Sequence, residues 1–395
     1  MKWKLTRGLV VVAMAFTAAV LTIGAQDRVE PITVTPPGVI HPLGIPAGDP
    51  PSLIAVAPAP LNLVAVIPVP GNPVVSTDIV WADPLRGRVY LTDRSNFGID
   101  IFDGVNNVYA GRIGGFVGPT GSTGTGGPNG VVVTEDNQLW VGDGNSLVQV
   151  VDLNLDPPSI IKTISTGPPT DSRADELNYD PLERLILIAT PGAKPPYATF
   201  ISADSYQILG KIVFADAGGL EQPAWDAQLH RFMLTVPASD GTSYVAVIDP
   251  VKMTVTKKYR FAGTCGATGL VMAPAQLMLA SCGKPIIMNA INGRILTTIT
   301  QVNGGDQIWY NDGDGRLYVT GADSGGQQSL GVIDPASGTW LQNVPVTRGK
   351  NPAALSLNNE VFVTITSPAA TAADTTICAA NGLDHRGCMA VFRHF

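Results

Sequence analysis

Charge is scarce in this chain, and positive charge is scarcest. Only 14% of its 395 residues are Asp, Glu, Lys or Arg, with 25 basic against 32 acidic side chains and a formal net charge of −7. A nucleic-acid surface needs a basic stripe that displaces counterions, so this balance argues against a nucleic-acid partner. Histidine is almost missing. His41, His230, His385 and His394 are scattered, and none has zinc-site spacing. No Gly-x-Ser-x-Gly elbow occurs, which leaves a serine hydrolase of the α/β type unsupported. Beyond the first two dozen residues, no apolar run is long enough to span a bilayer.

Turn formers are abundant instead: 43 Gly and 32 Pro. Together with many short β-rich runs, they point to an all-β chain of strands and tight turns. The N-terminus reads as an export signal over residues 1–25. Lys2, Lys4 and Arg7 precede an uncharged apolar run from Gly8 to Ile23, and Gly24-Ala25 offers small residues for cleavage. The alternative is an uncleaved membrane anchor. Cleavage would leave no stable membrane span and a periplasmic or secreted protein. Residues 26–60 are proline-rich and read as a linker or a surface strap.

From residue 61 onward a pattern repeats. Seven hairpins share an apolar strand, a polar or Asp-Pro turn and a second apolar strand. Among them are "DIVWADPLRGRVYLTD" from Asp78, "ELNYDPLERLILIA" from Glu176, "QPAWDAQLHRFMLTV" from Gln222 and "QIWYNDGDGRLYVT" from Gln307. Six further hairpins interleave, such as "YVAVIDPVKMTVTKKY". Each repeat therefore holds four strands in roughly 45 residues, the period of a propeller blade. The last blade is one strand short at "CMAVFRHF", Cys388 to Phe395. The run "LNLVAVIPV", Leu61 to Val69, lacks a partner and is expected to complete it. The fold expected is a seven-bladed β-propeller over residues 61–395, with four-stranded blades and a ring closed by an N-terminal strand that joins the C-terminal blade. Continuous apolar runs such as "LILIA" fit blades buried on both faces.

The stretches "VWADPLRGRVYLTD", "YVAVIDPVKMTVTKKY", "RLYVTG" and "LGVIDPASGTWL" resemble the YncE-like (YVTN-type) family of seven-bladed propellers. The resemblance covers about residues 61–395. It implies the fold more than the function, since such folds host binding proteins, lactonases, lyases and scaffolds.

In a propeller the first strand of each blade lines the central channel. Residues just before those strands meet at one mouth. They include Thr77 and Asp78, Asn129, Asp175 and Glu176, Glu221 and Gln222, Thr268, Asp306 and Gln307, and Lys350 and Asn351. Five are carboxylates. Mutual repulsion should raise some of their pKa values unless Arg173, Arg348 or Lys350 pairs with them, or a cation binds. Oxygen ligands suit Ca²⁺ or Mg²⁺, with Glu176, Glu221 and Asp306 as the candidate set. The leading functional expectation is binding of a small molecule, metal ion or protein segment at this funnel, by Asp78, Asn129, Arg173, Asp175, Glu176, Glu221, Gln222, Asp306, Gln307 and Asn351. One alternative is a metal-dependent lactonase, hydrolase or lyase, with Glu176 or Glu221 beside Asn129 and Asp306. The other is a protein-interaction scaffold. The bland reading of each polar residue is a hydrogen bond to backbone or channel water.

Three smaller features complete the reading. "GPTGSTGTGGPNG", residues 118–130, lacks the Gly-Lys-Ser/Thr of a phosphate loop and reads as a flexible inter-blade loop. "NDGDG", residues 311–315, reads as a tight turn. The four cysteines are expected to pair locally as Cys265–Cys282 and Cys378–Cys388, as suits an exported chain, the alternative being four free thiols or a metal site. The second bridge would pinch the loop carrying His385; a site role for His385 is the lesser reading, open only if that loop lies over the channel.

Overall fold

The computed structural model describes residues 59–119 and 126–395. The expected signal segment and most of the proline-rich stretch lie outside the described residues, as does the middle of the glycine-rich loop.

The repeated Asp shapes the turns. In blade three Asp180 Oδ1 accepts the backbone N–H groups of Leu182 and Glu183, and in blade four Asp226 Oδ1 accepts those of Gln228 and Leu229. Asp83, Asp103, Asp249 and Asp334 act in the same way. An Asp carboxylate bonded two residues ahead imitates a backbone turn and starts a hairpin. The turn ends on a left-handed residue, Gly87 at φ 60° in blade one, where glycine carries no Cβ penalty.

The strands form seven antiparallel sheets of four. The innermost strands are Thr77–Asp83, Val131–Val133, Leu177–Asp180, Pro223–Asp226, Ala267–Ala273, Ile308–Asn311 and Gly349–Leu355. In the seventh sheet the outer strand is Leu61–Pro68. It pairs with Cys388–His394, from Leu61 opposite His394 to Pro68 opposite Cys388. First and last strands thus share a blade, and the ring has no open sheet edge at its seam.

The core is seven cores. Each hydrophobic cluster joins one blade to the next. Ile79, Tyr90 and Ile99 of blade one meet Leu139 and Val141 of blade two. Leu187 and Phe200 of blade three meet Phe232 and Leu234 of blade four. Phe362 and Val391 of blade seven meet Val89 and Leu91 of blade one. Val89 and Tyr90, adjacent in sequence, therefore point into different cores, as strand alternation requires. Burial on both faces explains the unbroken apolar runs.

Both expected disulfides are present, Cys265–Cys282 and Cys378–Cys388. Among the described residues no helix is long and apolar enough to cross a membrane.

Candidate functional site

The first strands bring the predicted residues to one mouth, and there they separate into two groups. The amides knit the blades together. Asn129 is fully buried. Its Nδ2 donates to the Ala174 carbonyl of blade three at 2.9 Å, while its Oδ1 accepts from Arg94 of blade one. Asn351 of blade seven donates to the Asp78 carbonyl of blade one and to Asp306 Oδ2 of blade six, both at 3.2 Å. Gln307 is also fully buried. Its amide pairs with both backbone groups of Val80, at 3.0 and 2.6 Å, reaching from blade six to blade one. Gln222 accepts the Leu270 N–H of blade five at 2.8 Å. For these four residues the observed partners are structural.

The carboxylates are different. Asp78, Asp175, Glu176, Glu221 and Asp306 lie close enough to act on one another's charge. Burial raises the Asp78 pKa to about 7; Arg94 opposes the rise, and Asp175 and Asp306 add to it. Burial also pushes Glu221 up to about 8, helped by Asp175 and Asp306. Glu176 is only 5% exposed, and burial with four acidic neighbours holds it well above the ordinary range. No donor reaches Glu176 Oε2 or Asp175 Oδ1, both buried. Buried carboxylate oxygens are nearly always hydrogen-bonded, and at the mouth these two are not; Asp100, Asp180 and Asp226 each keep one such oxygen elsewhere.

Two arginines offset the five acids. Arg173 pairs with Asp175 at 2.7 Å. Burial works against its charge, but Asp175, Asp78 and Glu221 outweigh that and raise its pKa. Arg94 pairs with Asp78. Arg94 lies outside the set of residues preceding first strands, so the repeat alone does not mark it. It directly follows the second strand of blade one, Arg88–Asp93, whose far end returns to the same mouth; that position was the available signal. The expected pairing by Arg348 and Lys350 does not occur. Arg348 donates to the Thr366 carbonyl at 3.0 Å, and neither residue forms an ion pair among the described residues. His385 has Asp384 as its ion-pair neighbour, at 3.8 Å, and its backbone N–H donates to Asp374.

The mouth does not present a ready-made coordination shell for a divalent ion. Among the described residues no three His, Cys, Asp or Glu side chains are grouped to hold one. Asp306 is engaged by Asn351, and Asn129 Oδ1 faces the Arg94 guanidinium, the wrong neighbour for a metal ligand. Glu176, Glu221 and Asp306 share a field without forming a coordination shell.

The other end of the channel is aromatic. Trp81, Trp225, Trp309 and Tyr310 line a cavity of about 260 Å³ with Met272 and Asp312. Only the motifs "PAW" and "IWY" hinted at it.

No family model matches the chain, and no curated protein matches it. Solved structures do match: 1478 chains, among them one in the "Crystal Structure of Mitotic Checkpoint Complex". That match covers 93% of this chain and 99% of the other, with a TM-score of 0.59 at 12% identity. At that identity the likeness shows the fold alone.

Proposed function

We propose that this propeller is an exported binding module that captures a small organic cation, of the primary amine class, at its acidic mouth. A primary ammonium carries three N–H donors and no acceptor. It matches a mouth whose carboxylates keep unused oxygens and are too dispersed to enclose a bare metal ion. The observation that carries the reading is Glu176: buried, with Oε2 lacking a donor, among four acidic neighbours that disfavour its charge. A bound ammonium would relieve both. The fold supports the general role, since propellers commonly bind ligands or proteins around their axis. The signal-like segment 1–25 and the two disulfides support an oxidising, periplasmic or extracellular location. The hairpin motifs support a place near the YncE-like propellers.

Calorimetric titration with 1,4-diaminobutane at pH 9 and low salt tests this, with CaCl₂ and MgCl₂ in parallel. Saturable diamine binding that weakens at least tenfold in Glu176→Gln, without a comparable response to either metal, is expected. Absence of diamine binding at that pH, where the carboxylates are most ionised, sinks the proposal.

A further inference from the structure

The aromatic end of the axis is unused by the reading above. Its cavity gathers residues from the first strands of blades one, three, four, five and six, so it sits on the axis. Its inner end adjoins the acidic mouth, for Gln222, next to Glu221, and Asn178, two residues on from Glu176, line it as well. Trp81 lies three residues beyond Asp78, about 10 Å along an extended strand.

Three features define its chemistry. Trp81 and Trp309 meet edge to face, with ring centroids 5.3 Å apart and planes at 85°. They make a right-angled corner, and Trp225, Tyr310 and Met272 continue the wall. No Lys, Arg or His lines this cavity or the adjoining groove; the charged residues there are Asp312 and Asp226. His230 stacks on Trp225 at 6.5 Å but lines neither space. Asp226 is 2% exposed. Its Oδ1 takes three N–H donors, from Gln228, Leu229 and Gln276, while its buried Oδ2 takes none.

We propose that this cup is a second binding site, for a small quaternary ammonium head group, at the end of the axis opposite the acidic mouth. Aromatic faces attract cations through the ring quadrupole. A primary ammonium would lose three water hydrogen bonds here for few acceptors. A methylated ammonium has no donors to satisfy and buries its methyl groups against indole faces. The carboxylates at Asp226 and Asp312 supply opposite charge. The two ends of the channel thus divide the cations between them, hydrogen-bonding amines at the mouth and alkylated ones at the cup. The cavity is small for a drug-sized ligand, and a head group of four or five heavy atoms suits it.

The test uses the folded, full-length mature protein and two probes of nearly equal shape. One is choline; the other is 3,3-dimethylbutan-1-ol, its uncharged analogue. Binding is followed by tryptophan fluorescence and calorimetry. Choline should bind at least tenfold tighter than the alcohol. Asp312→Asn, at an exposed position that leaves packing intact, should weaken choline threefold to tenfold and leave the alcohol unchanged. Trp309→Leu should weaken choline more than tenfold. Lys350→Gln, at an exposed position that lines a different space, should leave choline binding unchanged. Equal affinity for the two probes, or no binding of choline, overturns the proposal. So does an unchanged choline affinity in folded Asp312→Asn, or a loss in Lys350→Gln.

Discussion

Arg94 donates to Asn129 Oδ1 from both Nε and Nη2, at 2.9 and 2.6 Å, and so bolts blade one to blade two. The same guanidinium pairs with Asp78, while Asn129 reaches on to the Ala174 carbonyl of blade three. Three blades are joined through two side chains. Asn129→Ala strands a buried carbonyl and part of a guanidinium. It should cost about 2–3 kcal/mol, the usual penalty for unsatisfied buried groups. Chemical denaturation of the variant against wild type checks this; a loss below about 0.5 kcal/mol would contradict the assignment.

Arg94 also competes with any cation at the mouth. Arg94→Met removes one of two positive charges there. Stability should fall, yet diamine affinity at pH 9 should rise severalfold. Titration calorimetry on the two proteins separates this from simple loss of structure, which would lower both quantities.

The mouth should make stability fall as pH rises. Glu221 has an ordinary pKa of 4.5 and is pushed up to about 8 in the folded protein. The folded state therefore holds this proton more tightly than the unfolded one. Its contribution is fully present below about pH 4.5 and is lost as pH climbs to 8. Asp78, raised from 3.8 to about 7, acts in the same direction. Glu221→Gln cannot ionise, so at pH 8–9 it should be more stable than wild type, by on the order of a few kcal/mol, and melt at a higher temperature. The gap should close near pH 5. Thermal melts across that range read it directly.

Cys378 and Cys388 lie 10 residues apart and are both fully buried. Their bridge anchors the start of the strand that closes the ring. Replacing both with Ser should cost about 3 kcal/mol by the loop-closure argument. Phe392, 1% exposed in the same strand, should cost about 3–5 kcal/mol on truncation to Ala. Equilibrium unfolding of each variant provides the measurement.

The architecture was legible because it is periodic. Seven repeated hairpins, several with an Asp opening the turn, reveal seven blades, and an orphan strand at Leu61 facing an incomplete blade at Cys388 reveals the closure. The mouth was legible to the same extent: register carried Asp78, Asn129, Asp175, Glu176, Glu221, Asp306 and Asn351 there. What register cannot supply is side-chain reach. It gave no way to know that Arg348 would turn to the Thr366 carbonyl, or that Arg94 would take its expected role. Nor could it show that the Gln307 amide would span to Val80. Those outcomes depend on distances between blades far apart in sequence. The aromatic cup is hidden for a related reason: Trp81, Trp225 and Trp309 lie in separate blades, and a tryptophan in an apolar strand carries no local mark of the cavity it shares.

The seam has a mechanical character of its own. Leu61 lies opposite His394 at one end of an antiparallel ladder, and Pro68 opposite Cys388 at the other. Tension applied where the chain enters at Leu61 and leaves at His394 would load a single rung at a time, like a zip drawn from its tab. A ring held by packing shared between neighbouring blades would then yield to pulling at low force, starting from its own join.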